Sequence, residues 1–194
     1  LIDSLAKQFV YNNPQTVDIR VLTSIGNCHR KLKTFDQGTK YFEMALEREP
    51  NNFYALFGLA DSYRGMNQQN KSVFYWNKIL EIDPNNKVIL TRAGDAYRTS
   101  GNFEEAKKYY GKALEIDFDV YAAIGLALIC KGEGNYNEAI SRLENLIKSD
   151  PKNSRLYIDL AECYDAMNNK VQAAKVLNDY LKFDNRNSAV RNAL

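Results

Sequence analysis

From residue 53 to residue 82 the apolar positions recur with a helical period. Leu56, Leu59, Ala60 and Tyr63 fall at i, i+3, i+4 and i+7, and Ser72, Trp76, Ile79 and Leu80 trace a second stripe with similar spacing. Asn67 lies between the stripes and Pro84 follows the second, so the segment predicts two helices, a tight turn and a stop. The same punctuation returns along the chain as Glu49-Pro50-Asn51-Asn52, Asp83-Pro84-Asn85-Asn86 and Asp150-Pro151-Lys152-Asn153. Pro50 and Pro84 are 34 residues apart and Pro84 and Pro151 are 67 apart. A fixed period of this length predicts stacked helical repeats. Aligned on these marks, the chain divides into repeats 19–52, 53–86, 87–119, 120–153 and 154–187, the third one residue short.

Columns that took no part in the alignment stay in register. The eighth position of each repeat is Gly26, Ala60, Gly94, Ala127 and Ala161, and twelve residues later come Gly38, Ser72, Ala106, Ala139 and Ala173. Small residues at two fixed places predict a close crossing of two helix backbones. Bulky residues predicted to fill the interior follow at Phe42, Trp76, Tyr110, Leu143 and Leu177, and at Leu46, Leu80, Leu114, Ile147 and Leu181. The predicted turn column reads Lys33, Asn67, Gly101, Gly134 and Asn168, rich in the residues that tolerate a left-handed helix end.

Leu56, Leu59-Ala60, Tyr63, Trp76 and Pro84 in the second repeat resemble the tetratricopeptide repeat family. So do Gly94, Tyr97, Gly101-Asn102-Phe103-Glu104-Glu105-Ala106, Tyr110 and Ala113 in the third, and Gly134-Asn135-Tyr136-Asn137-Glu138-Ala139 in the fourth. The resemblance implies an all-α fold, a right-handed α-solenoid of helix-turn-helix tetratricopeptide repeats, forming a single array over 1–194. His29 and Cys130 stand where the family has Tyr, and Phe118 and Asn185 where it has Pro. Phe118, with the missing residue, predicts an irregular turn between the third and fourth repeats. Residues 1–14, with Leu5, Ala6, Phe9, Val10 and Pro14, read as the second helix of a partial repeat. Residues 188–194 read as the start of a further repeat or a capping helix, which leads to the expectation of a longer natural protein.

By resemblance, the second, fifth, ninth and twelfth positions of each repeat face a concave groove. These positions predict a partner-binding groove of Asn27, Arg30, Tyr54, Phe57, Asp61, Arg64, Thr91, Asp95, Arg98, Tyr121, Ile124, Lys131 and Ile158, accompanied by Val88 and Leu128. Its apolar members suit a peptide or helix, and Arg30, Arg64, Arg98 and Lys131 form a basic ladder suited to a partner's carboxylates. Asp61–Arg64 and Asp95–Arg98 also have the spacing of ordinary ion pairs within a helix. Some members of the family clamp acidic C-termini with Lys, Asn, Asn, Lys and Arg. This chain offers Thr23, Asn27, Gly58, Val88 and Arg92 there, so both lysines are missing and the resemblance does not extend to the clamp.

Composition narrows the function classes. With 26 basic and 24 acidic residues the net charge is only +2, against the clustered basic excess of nucleic-acid binders. No apolar run is long enough for direct membrane insertion. The three cysteines, Cys28, Cys130 and Cys163, form no C-x-x-C pair and lie where small apolar residues fit. His29, the lone histidine, falls on the core side of its predicted helix. Lys131-Gly132-Glu133-Gly134 is no phosphate loop, since no strand precedes it, and no carboxylates are paired for acid–base work. Asn70-Lys71-Ser72 matches a glycosylation acceptor, a common accident in an Asn-rich chain. The chain therefore reads as a non-enzyme without cofactor or metal, a scaffold or adaptor for a protein or peptide partner. The alternatives are the docking arm of a larger enzyme and a self-association module. No leader is visible at the first residues, which leaves the compartment open.

Overall fold

The computed structural model describes Val10 and residues 16–194. Residues 1–14, read above as the second helix of a partial repeat, lie outside the described residues except for Val10. Among the described residues all regular structure is helical. In order the helices are α1 (Ile19–Lys31), α2 (Phe35–Arg48), α3 (Phe53–Gly65), α4 (Gln69–Ile82), α5 (Lys87–Thr99) and α6 (Phe103–Ile116). Then follow α7 (Val120–Gly132), α8 (Tyr136–Ser149), α9 (Ser154–Ala166), α10 (Lys170–Leu181) and α11 (Ser188–Ala193). None of them is long and apolar enough to cross a membrane.

The punctuation in the sequence has a local cause at each end. All five residues of the turn column have positive φ: Lys33 at 60°, Asn67 at 58°, Asn168 at 60°, Gly101 at 82° and Gly134 at 77°. Each ends one helix in the left-handed region so that the chain can reverse into the next. The Pro-Asn-Asn runs end in a cap: Asn52 Oδ1 accepts from the Ala55 N–H at 3.1 Å and Asn86 Oδ1 from the Ile89 N–H at 3.2 Å. The same asparagines donate through Nδ2 to Glu49 at 2.8 Å and to Asp83 at 3.0 Å, the acids that precede the prolines. Where Phe118 replaces Pro, the link after α6 is only Asp117–Asp119. Phe118 is exposed there, and Asp119 Oδ1 caps α7 by accepting from the Tyr121 and Ala122 N–H groups at 2.9 and 3.0 Å.

The chain divides into two compact units, 1–109 and 110–194, with the boundary inside α6. In the first, α1 packs on α2, α2 on α3, α3 on α4 and α4 on α5. Its interior holds Leu22, Tyr41, Phe42, Ala55 and Leu59, and a second cluster of Leu56, Ala60, Trp76, Ile79, Ile89 and Ala93. In the second, α7 packs on α8, α8 on α9, α9 on α10, and α11 on both α9 and α10. Ala127, Ala139, Leu143, Leu156, Leu160 and Cys163 form one cluster; Tyr157, Ala161, Ala173, Leu177, Tyr180 and Val190 form the next.

Both small columns are buried and they meet. A methyl group on Gly38 would stand 3.0 Å from the Gly26 carbonyl oxygen, and Ser72 Oγ donates to the Ala60 carbonyl at 2.8 Å. The large column Phe42, Trp76, Tyr110, Leu143 and Leu177 is buried throughout. The other large column is only half-buried: Leu46, Leu80, Leu114, Ile147 and Leu181 flank the core. The deepest side chains belong to the residue before each, namely Ala45, Ile79, Ala113, Leu146 and Tyr180. The helical stripe points about one residue away from where the leucines alone suggest. His29 is buried as expected, stacked on Tyr41 at 5.7 Å with Nδ1 2.9 Å from Thr34 Oγ1. Cys130 and Cys163 are buried too, but Cys28 is exposed.

Candidate functional site

In the first unit the predicted site residues lie on α1, α3 and α5. Tyr54, in the first turn of α3, is 68% exposed and Val88, at the start of α5, is exposed as well. Phe57, one turn after Tyr54, is half-buried. Its ring meets Trp76 edge-on at 5.1 Å, and the Arg30 guanidinium carbon stands 5.9 Å from the same ring's centroid. Tyr54 is therefore an exposed aromatic on a helix whose next turn is held by an edge-on contact with a buried tryptophan. Asp61 and Thr91 are each only 6% exposed, so these two predicted groove residues offer almost no surface.

The basic ladder is engaged by the protein itself, in part through the pairs within one helix that the Asp61–Arg64 and Asp95–Arg98 spacing also predicts. Arg30 donates to Asp61 Oδ2 at 2.6 Å and to Asn27 Oδ1 at 3.2 Å. Arg64 donates to Asp61 Oδ1 from Nη2 at 2.6 Å and from Nε at 3.0 Å. Burial pushes the Asp61 carboxyl up, and the hydrogen bonds from Arg64 and Arg30 outweigh it and hold the group below the ordinary carboxylate value. Arg98 lies 3.9 Å from Asp95. The physical reason is register: the twelfth residue of α1 meets the ninth residue of α3, 31 positions later, and a carboxylate stands there.

The second unit repeats that register. Lys131 on α7 donates to Glu162 on α9, again 31 positions later, at 2.6 Å, and to Asp159 at 2.7 Å. Arg155 grips the same Asp159 with Nε at 2.9 Å and Nη2 at 3.0 Å, and Asp159 is fully buried. Burial pulls the Lys131 ammonium down, but its hydrogen bonds to Asp159 and Glu162 prevail and raise it. On the same helix Tyr121 is 71% exposed, while Ile124 and Leu128 are half-buried, as is Ile158 on α9.

Asp159, at the sixth position of its repeat, was not singled out in the sequence. At that position Gly58 faces Phe42, where a Cβ would come within 2.2 Å of the ring, and Gly125 faces Tyr110, where it would come within 2.3 Å. Phe42 and Tyr110, at the twenty-fourth position of their repeats, thus each face a glycine at the sixth of the next, whereas Trp76 is followed there by Arg92. Where the twenty-fourth residue is the smaller Leu143, the sixth position of the next repeat holds Asp159.

Burial pushes the Cys163 thiol up to about 11. Among the described residues no group of three or more His, Cys, Asp or Glu is arranged to hold a metal ion.

Tetratricopeptide repeat family profiles match residues 19–52, 54–86, 89–120 and 132–194. No curated protein sequence matches the chain. Among solved structures, a tetratricopeptide repeat protein from Parabacteroides merdae is similar over 93% of this chain and 70% of its own, at 22% identity and a TM-score of 0.82. PilW, a type IV pilus biogenesis factor, is similar over 84% and 76%, at 19% identity and a TM-score of 0.73. YrrB, a repeat protein described as having an unusual peptide-binding site, is similar over 99% and 96%, at 16% identity and a TM-score of 0.67. At these identities the likeness is one of fold, the all-α solenoid of helix-turn-helix repeats. With the family profiles covering most of its length, the chain belongs to the tetratricopeptide repeat family.

Proposed function

We propose that this chain is a protein-interaction scaffold that receives a peptide or helix of a partner on the faces of its first helices. The observation that carries the reading is the exposure of Tyr54 and Tyr121, 68% and 71%, at the same position of two repeats. An isolated exposed aromatic needs no explanation. Two at one register, each followed a turn later by a half-buried apolar residue (Phe57 and Ile124), form the anchors that interfaces favour. The peptide-binding site described for YrrB is consistent with this use of the fold. The bound partner gains little from the cations, because Arg30, Arg64 and Lys131 already hold carboxylates of the protein. Recognition therefore rests on apolar contact, with hydrogen bonds from the tyrosine hydroxyls.

Affinity capture from a lysate of the source organism tests the reading, comparing the parent chain with a Tyr54→Ala, Phe57→Ala, Tyr121→Ala variant by mass spectrometry. Each anchor should contribute on the order of 1–3 kcal/mol, so the triple variant should lose its specific partners while keeping its helicity. Identical partner sets from two chains of equal melting temperature would assign binding to another surface.

A further inference from the structure

The link between α6 and α7 puts an aromatic where other links have proline. Repeats one, two and four leave their second helices through Pro50, Pro84 and Pro151. At the same position repeat three has Phe118, which is 61% exposed. Ile116, the last residue of α6, and Tyr121, in the first turn of α7, are exposed on either side of it. One turn beyond Tyr121, half-buried Ile124 continues this apolar surface along α7.

The charge of the same segment has one sign. From Ala113 to Cys130 the chain carries the carboxylates of Glu115, Asp117 and Asp119 and no lysine or arginine. Asp119 has a structural duty, since it accepts from two N–H groups at the start of α7. Glu115 and Asp117 are exposed at the C-terminal end of α6, where the helix dipole is already negative. At that end α2 and α8 set a cation, Arg48 and Lys148, whereas the last turn of α6 has none. The Glu115 side chain enters no ion pair or hydrogen bond among the described residues. Asp117 Oδ1 accepts from the Phe118 N–H at 2.8 Å, a bond that asparagine supplies equally well. The two charges therefore work against the helix they follow, and the fold draws nothing from their sign.

We infer that this link takes a basic amphipathic segment of the partner protein, with apolar side chains against Phe118 and Tyr121 and a lysine or arginine beside Glu115 and Asp117. The inference rests on the scaffold reading and adds a charge to it. Arg30 and Lys131 are held by the protein's own carboxylates, so the charge left beside the aromatic anchor is negative. Complementary charge of this kind steers the encounter and sets the register of the bound segment.

The probes are two fluorescent, side-chain-stapled helical peptides with one leucine stripe, bearing lysine at the polar positions in one and glutamine in the other. In anisotropy titrations the whole chain should bind the lysine peptide on the order of fivefold more tightly. The Glu115→Gln, Asp117→Asn chain should lose that preference, and with it the weakening of the lysine peptide by salt. It should melt no lower than the parent, because a helix C-terminus is relieved of like charge. A Glu47→Gln, Glu104→Gln chain, altered by the same charge at exposed sites elsewhere, should keep the preference. Phe118→Ser should weaken both peptides about tenfold. The Tyr54→Ala, Phe57→Ala chain should bind both as the parent does, which separates a failure here from a failure of the scaffold reading. No binding of the lysine peptide, a preference that survives in the Glu115→Gln, Asp117→Asn chain, or an equal loss in both charge variants would overturn the inference.

Discussion

Lys33 holds a left-handed backbone at φ 60° in a column where every other member is Gly or Asn. A side chain with a Cβ and no local hydrogen bond to offer pays about 1 kcal/mol there. Lys33→Gly should therefore raise the urea midpoint by the equivalent of roughly 0.5–1 kcal/mol, part of the gain being lost to the entropy of glycine. The same substitution at exposed Lys175, inside α10, should lower it by about 1 kcal/mol. Asp61 supplies a second test at this scale, through pH. Its carboxyl is a stronger acid folded than unfolded, so its stabilisation is complete above the unfolded value of about 3.9 and is lost as pH falls through the folded one. Asp61→Asn should be less stable than the parent at pH 7, with Arg30 and Arg64 left unmatched, and should lose less on acidification from pH 5 to 2. Parallel midpoint-versus-pH curves for the two chains would show that the Arg30–Asp61–Arg64 cluster contributes nothing to the fold.

Helix crossings are decided by small residues, and this part of the fold was legible early. Gly26, Gly38, Ala60 and Ser72 recur at fixed register because a backbone must pass there, and sterics write directly into composition. The turn residues were legible for the same reason, since a positive φ restricts the side chain. The ion pairs between helices were not, unlike Asp61–Arg64 and Asp95–Arg98 within one helix. Whether Arg30 reaches outward or across to Asp61 depends on the axial offset of two helices, a distance that a repeat period does not contain. Asp159 escaped because a buried carboxylate is indistinguishable in sequence from the many exposed ones until Lys131 and Arg155 close on it. At this scale Ala139→Leu should overfill a crossing and cost about 1–3 kcal/mol, whereas Lys175→Leu on an exposed face should be close to neutral, as read by urea midpoints. Thiol labelling checks the helix rotations independently. At pH 8 Cys28 should react rapidly in the folded chain, and Cys130 and Cys163 only at the rate of opening. Three equally fast thiols would contradict the packing of α7 and α9.

Across the whole molecule, repeats of this family are held by contacts between nearest neighbours, so charge and packing are spent mainly on joining one repeat to the next. That accounts for the fate of the basic ladder and leaves the aromatic positions as the surface with no structural duty. Among the described residues Tyr54 and Tyr121 are exposed, Tyr54 meeting only the Phe53 ring edge-on at 5.8 Å, while Phe57 one turn on is held against Trp76. The most direct measurement of the scaffold claim is photocrosslinking in cells of the source organism. Benzoyl-phenylalanine replaces Tyr54 or Tyr121 in one set of chains, and in another it replaces exposed Phe74 on the second helix of its repeat. The account predicts discrete protein adducts from the Tyr54 and Tyr121 chains and none from the Phe74 chain. Adducts from Phe74 alone, with the other two positions silent, would contradict it.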